Sequence, residues 1–120
     1  MVTGIQPSEH CGSTNDQLSG DVTILWGLDA TGQLAAGQQV TAPTPHIYDE
    51  TAGGVEVPAM LVGTTYVVPN DAGVDGQRIL QAVTGAVAGH TYRLLVEYTP
   101  SPPGQTAERL GLYITITCLV

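Results

Sequence analysis

The tightest cluster of reactive side chains lies near the start of the chain and consists of Ser8, Glu9, His10 and Cys11. These residue types supply a nucleophile, a base and an acid, the parts of an acyl-transfer site. Adjacent side chains on an extended chain point to alternate sides, so the four cannot form a triad among themselves. The sequence also has no GxSxG elbow and no HExxH motif. We therefore predict that the chain has no catalytic residues and is not an enzyme.

The remaining histidines and the paired carboxylates do not suggest a site either. His46 and His90 are far apart in sequence, and we expect each at a strand end or turn rather than on a metal. Asp49 and Glu50 are neighbours, so their side chains diverge and do not make an acid–base pair. We predict no bound metal and no cofactor.

The loop PNDAGVDG, residues 69–76, allows two interpretations. Oxygen ligands at Asn70, Asp71 and Asp75 could hold Ca²⁺, although the chelating glutamate of an EF-hand loop is missing. A turn that needs Asx residues and glycine explains the same letters, and we favour it. Calorimetric titration with Ca²⁺ distinguishes the two, because a flat trace removes the site.

Charge and composition narrow the function classes. The 120 residues carry 11 acidic side chains, no lysine and three arginines, which gives a net charge of −8. Nucleic acids and anionic membranes are bound by clustered basic residues, so we expect neither as a partner. No apolar run approaches the roughly 20 residues of a membrane span, and residues 1–20 lack the anatomy of a signal peptide. We expect synthesis in a cytoplasm, with Cys11 and Cys118 as free thiols.

Short β-branched segments separated by turns predict an all-β protein. We divide the chain into an extended N-terminal arm, residues 1–20, and a sandwich domain, residues 21–120. In the first half we expect strands at 22–28, 38–42, 46–50, 55–62 and 64–68. Pro58 places the strand 55–62 at a sheet edge. In the second half they are 78–83, 91–99 and 110–118, with a hairpin tip at 101–105.

Alternation in the later strands predicts which side chains face the core. Tyr92, Leu94, Val96 and Tyr98 share one face of the strand 91–99, and the even-numbered residues from 110 to 118 share one face of the last strand. Trp26 is expected to face inward from the first strand. The exposure of Tyr48, Tyr66 and Tyr113 does not follow from the sequence.

The segment Val87-Ala88-Gly89-His90-Thr91-Tyr92 resembles the G-x-x-Y motif of immunoglobulin-like and fibronectin-like sandwiches, in which a tyrosine hydroxyl binds an upstream backbone group. That resemblance implies a sandwich of about seven antiparallel strands with Tyr92 as the corner residue. A generic β fold with ordinary core aromatics is the alternative.

The region from Asp21 to Cys118 resembles the small β-sandwich virion proteins of tailed bacteriophages. The likeness rests on the runs DVTILWGLDATGQLAAGQ, TPHIYDETAGG and TGAVAGHTYRLLVEYTPSPPGQTAERLGLYITI. It implies a non-enzymatic capsid decoration, or cement, protein on the surface of the virion. Its partner would be the major capsid protein, with repeated copies or a homo-oligomer on each particle. A tail, neck or fibre component and a carbohydrate-binding module are the alternatives.

Overall fold

The computed structural model describes residues 3–4, 23–102 and 109–118, with side chains in the two longer ranges. Its strands are β1 (Thr3–Gly4), β2 (Thr23–Asp29), β3 (Gln39–Asp49), β4 (Val55–Glu56), β5 (Leu61–Val68), β6 (Arg78–Thr84), β7 (Thr91–Ser101) and β8 (Leu110–Thr117). Sheet 1 has the order β1-β2-β6-β5 and sheet 2 the order β4-β3-β7-β8, and all the pairings are antiparallel. The predicted all-β sandwich is therefore confirmed.

The core lies between the two sheets and is formed by alternate residues of the long strands. Its largest fully buried side chains include Trp26 from β2, Ile47 from β3, Ile79 from β6, Tyr92, Leu94 and Tyr98 from β7, and Leu112 and Ile116 from β8. Trp26, Tyr92 and Tyr98 face inward as the alternation predicts. Burying such side chains removes apolar area from water, at about 25 cal/mol per Å², and this holds the sheets together.

β3 corrects the first half of the predicted strand map. Residues 38–42 and 46–50 were expected to form two strands, but the structure has one strand, Gln39–Asp49. Its register against β7 shifts between Thr41 and Thr44, and Ala42 has a positive φ of 50°. Pro43 lies within the bulge, where the ladder is irregular. Pro45 lies opposite Val96 with its nitrogen directed away from β7, as that of Ile47 is, so no hydrogen bond of the β3–β7 ladder is lost there.

The predicted strand 55–62 is also wrong, because this segment changes sheets. Val55–Glu56 pairs with β3 for two residues, a 3-10 turn follows at Pro58–Met60, and Leu61–Val68 then pairs with β6 in sheet 1. Proline fixes its own φ and starts such a turn well. Both β4 and β5 lie at sheet edges, as the position of Pro58 predicted.

Tyr92 forms the expected tie between the turn and the strand that follows it. Its hydroxyl accepts a hydrogen bond of 2.9 Å from the backbone N–H of Val87. The ring is 1% exposed, so the contact anchors the 85–90 turn to the core. The pKa of the hydroxyl is raised, mainly because the ring is buried.

Cys118 corrects the expectation of free thiols, because it is disulfide-bonded. Its side chain is fully buried, and the only other cysteine in the sequence is Cys11. Most of the proposed arm, residues 1–20, and most of the hairpin tip 101–105 lie outside the described residues. Thr3 and Gly4 are described, and they pair with β2 opposite Asp29 and Leu28. The described part of the chain contains no helix with the length and hydrophobicity needed to cross a bilayer.

Candidate interaction site

Three groups of polar side chains and one apolar sheet face are the candidates for function. The cluster Ser8, Glu9, His10 and Cys11 lies outside the described residues, so its geometry is not part of the site described below. The other sequence candidates, which include His46, Asp49, His90 and the loop 69–76, are all described.

Asp49, which is buried, pairs with the partly exposed His90 where β3 ends and β7 begins. The Asp49 carboxylate is 2.8 Å from Nδ1 of His90 and accepts a hydrogen bond of 3.1 Å from the N–H of Ala52. Burial raises the pKa of Asp49, but hydrogen bonds from His90 and two backbone N–H groups, together with the charge of His90, lower it by more. The net pKa is below the ordinary value, so the carboxylate is ionised and fastens the β3–β4 turn to the start of β7.

The Asp49–His90 pair resembles part of a catalytic triad, but its surroundings are structural. The hydroxyl of Thr51 accepts a hydrogen bond from the N–H of Thr91, and the hydroxyl of Tyr92 accepts one from Val87. Both hydroxyl oxygens are therefore engaged with the backbone. Glu50 points away from Asp49 to within 3.6 Å of Arg93, in line with the predicted divergence of the two carboxylates.

His46 lies between two carboxylates on the outer face of sheet 2. Its Nδ1 is 3.0 Å from Oε2 of Glu56 on β4, and its Nε2 is 3.2 Å from Oε1 of Glu97 on β7. Both contacts are hydrogen bonds only if the imidazole is doubly protonated or one carboxyl carries a proton. The two carboxylates approach opposite ring nitrogens, so they do not converge on one point. Within the described residues there is no group of three or more metal-ligating side chains.

His46 lies inside β3 rather than at a strand end, contrary to the expectation from the sequence. The ring stacks near Tyr48 at a centroid distance of 6.4 Å, and the guanidinium of Arg93 lies 5.2 Å from the centre of the Tyr48 ring. Arg109 adds four hydrogen bonds, to Thr44, Thr99 and two backbone carbonyls. The outer face of sheet 2 is thus a charged and mutually paired surface.

The loop 69–76 uses its Asx residues to build a turn. The side-chain oxygen of Asn70 accepts hydrogen bonds of 2.9 Å from the N–H groups of Ala72 and Val74. Asp71 forms an ion pair of 3.3 Å with Arg78. The turn interpretation accounts for these contacts without a cation.

The outer face of sheet 1 differs from that of sheet 2, because its centre is apolar. We call this surface the outer patch and define it as Leu25 on β2, Ala82 and Leu80 on β6, and Val62 and Tyr66 on β5. The register places Leu25 beside Ala82 and Val62, and Leu80 beside Tyr66. Leu25 is 53% exposed and Tyr66 is 55% exposed. Two charged residues, Asp29 on β2 and Arg78 on β6, lie opposite each other in the register at one end of the patch.

The outer patch could not be found from the sequence, because it depends on strand order. Its five residues come from three strands that are separated by up to 57 positions, from Leu25 to Ala82 (82 − 25 = 57). The alternation of β2 does predict that Leu25 faces outward, and this is the one sequence feature that points to the patch. The other two tyrosines of undetermined exposure lie on sheet 2, where Tyr113 is 49% exposed and Tyr48 is half-buried.

No family model, curated protein or solved structure matches this chain.

Proposed function

We propose that the chain is a non-enzymatic structural protein of a virion, and that it decorates the outside of a phage head by binding major capsid subunits. The observation that carries the proposal is the outer patch, an uncharged apolar surface across three strands of a protein with net charge −8. Apolar patches of this kind are typical of protein interaction sites.

The contrast between the two sheets supports a directional contact. On sheet 2 the charged side chains pair with one another, with His46 held by Glu56 and Glu97. On sheet 1 the side chains of Leu25 and Tyr66 are half or more exposed and offer aliphatic and aromatic area to a partner. Interface cores are depleted in charge and enriched in tyrosine, so the partner surface should also be apolar and uncharged.

The disulfide at Cys118 supports a final location outside a reducing cytoplasm. Disulfides persist at virion surfaces and in extracellular spaces, and they are rare in cytosolic proteins. A decoration protein is made in the host cytoplasm but works on the surface of the particle. Oxidation would then follow release, and the bridge would stabilise the mature form.

The strand order supports an immunoglobulin-like classification. Sheet 1 corresponds to the A-B-E-D order of that sandwich, and sheet 2 to C-F-G with β4 added. The Tyr92 hydroxyl makes the expected corner hydrogen bond. The chain departs from antibody domains in its cysteines, because Cys118 lies at the end of β8 rather than in a pair between the sheets' central strands.

Carbohydrate binding is supported less well, because the exposed aromatic rings do not share a surface. Tyr66 is on the outer face of sheet 1 and Tyr113 is on sheet 2. Sugar recognition through stacking would therefore rely on one ring at a time. A glycan array with specific hits would favour this function over the proposed one.

The first test is the copy number of the chain in purified virions, measured by quantitative mass spectrometry. A decoration protein should be present in hundreds of copies per particle. A few copies would indicate a tail, neck or fibre component, and its absence from particles would refute a virion role.

The second test asks whether the outer patch makes the contact. The double variant Leu25→Glu, Tyr66→Glu should fold but lose binding to heads that lack the protein, because it places charge in an apolar interface. The matched control is Val55→Glu, which changes an equally exposed apolar residue on β4. Equal binding of the double variant and the control would show that another surface is used.

A further inference from the structure

β8 is an edge strand with an unusually regular backbone. Its eight residues pair with β7 in an unbroken antiparallel register from Leu110 to Thr117. The strand contains no proline and no charged residue. Among the described residues, no strand pairs with its other side.

The hydrogen-bonding pattern shows which backbone groups face this edge. Cys118 exchanges hydrogen bonds with the turn before β7, through its N–H to His90 and its carbonyl from Gly89. Backbone direction alternates along a strand, so even-numbered residues face β7 and odd-numbered residues face outward. The side chain of Gln33 confirms this, because it donates to the outward carbonyl of Gly111 at 2.9 Å. The residues with outward N–H and C=O groups are Gly111, Tyr113, Thr115 and Thr117.

The other sheet edges carry features that discourage pairing. β5 has a register shift between Val62 and Tyr66, with Gly63 at a φ of 72°. β4 is only two residues long, and the edge of β3 beyond it contains a bulge and two prolines. Bulges, prolines and short strands are common protections of edges, as are lysines, which this chain lacks. β8 has no bulge, proline or lysine, although the side chain of Gln33 covers its edge at Gly111.

We propose that β8 binds β8 of a second copy of this chain, antiparallel, to form one continuous eight-stranded sheet. Two observations favour a second copy over another extended peptide. Each copy carries a net charge of −8, but β8 has no charged residue. Contact through β8 therefore places no like charges of the two strands beside each other. An antiparallel pair of identical strands is self-complementary and has twofold symmetry, so both strands satisfy the same groups.

The outward-facing backbone groups determine which residues of the two β8 strands lie opposite each other. Placing Tyr113 opposite Thr115 of the second copy also places Gly111 opposite Thr117, so all four outward residues of each strand take part. Because the carbonyl of Gly111 already accepts a hydrogen bond from Gln33, this arrangement leaves about six backbone hydrogen bonds to form between the two strands. It brings the Ile114 residues together on the twofold axis. Aromatic and β-branched residues pair well across strands, and Tyr113 is exposed by 49% in the single chain.

Self-association does not rest on the proposed function, and it is measured with the purified, oxidised full-length chain. Sedimentation equilibrium should give a mass that rises with concentration from 12.4 kDa toward twice that value. Thr115→Pro removes an outward N–H without touching the β7 ladder, and we expect it to raise the dimer dissociation constant about tenfold or more. Circular dichroism checks that the variant folds.

The register is tested by charge pairing. Tyr113→Lys mixed with Thr115→Glu should associate more strongly than either variant alone, because the introduced ammonium of one chain would then lie opposite the introduced carboxylate of the other. The outer-patch double variant Leu25→Glu, Tyr66→Glu should associate as the natural chain does, which separates this surface from head binding. A monomer at every concentration, as would result if the chain's own N-terminal residues covered the edge, would overturn the proposal. Unchanged association of Thr115→Pro would also overturn it.

Discussion

At the scale of single residues, alternation predicts what faces the core but not which polar groups meet. Trp26, Tyr92 and Tyr98 were placed correctly because each lies on a strand whose period-two pattern is unbroken. His46 shows the limit, since its two carboxylates come from positions 10 and 51 residues away. Such contacts depend on strand order and register, which a local pattern does not contain.

Asp49 gives a prediction about acid stability. Its pKa in the folded protein is below the ordinary aspartate value of 3.8, whereas in the unfolded chain it is close to that value. The unfolded state therefore binds the proton more readily, and stability is lost as the pH falls from about 3.8 through the lower folded pKa. Asp49→Asn should unfold more easily at pH 7 and lose part of this acid dependence. Urea titrations between pH 7 and pH 2 measure both effects.

The control for this prediction is Asp71→Asn, because Asp71 is 91% exposed and makes only a surface ion pair with Arg78. Exposed pairs contribute little, about 0–1 kcal/mol. The acid dependence of this control should match that of the natural chain. If Asp49→Asn behaves like the control, the buried carboxylate does not hold the turn.

At the scale of elements, the sequence predicts the regular strands and misjudges the irregular ones. β6, β7 and β8 were placed within two residues at each end, because their alternation is uninterrupted. The sequence predicts two strands, 38–42 and 46–50, where the structure has the single strand β3, which continues through Pro43 and Pro45. β4 and β5 were joined because nothing local to Pro58 shows that the chain changes sheets there. In each error, tertiary pairing decides the outcome rather than local propensity.

Gly76 gives a prediction about how the loop 69–76 packs on β3. Its φ is 72°, its carbonyl accepts a hydrogen bond of 2.7 Å from Val40, and a Cβ there would lie 2.6 Å from Cβ of Gln39. Gly76→Ala should therefore cost both left-handed strain and a displacement of β3, about 2 kcal/mol or more of unfolding free energy. Gly73→Ala is the control, since Gly73 has a φ of 80° with nothing within 4 Å.

Chemical denaturation of these two variants separates the two effects. Gly73→Ala should lose only the strain of a left-handed alanine, about 1 kcal/mol. The difference between the variants is the cost of contact with β3. Equal losses would mean that β3 moves aside freely and that the loop does not position it.

At the scale of the whole molecule, the disulfide changes how the small domain is stabilised. Cytoplasmic synthesis and two isolated cysteines led us to expect free thiols, but Cys118 is buried and bonded. Two cysteines give no spacing motif, so the sequence could not reveal whether the fold brings them within bonding distance. A chain of 120 residues gains from such a link, because small domains bury a modest share of their surface.

Reduction should therefore lower the stability of the whole domain. Cys11 is the only other cysteine in the sequence. A link from Cys118 to it would close a loop of roughly 100 residues, which in the chain-entropy model is worth up to about 4–5 kcal/mol. Because Cys118 is fully buried, the chain should be unfolded, reduced and refolded in reductant before guanidinium titration. The midpoint should fall well below that of the oxidised chain, and Cys11→Ser should match the reduced form with or without reductant. Equal midpoints for the oxidised and reduced chains would mean that the two sheets supply the stability without the link.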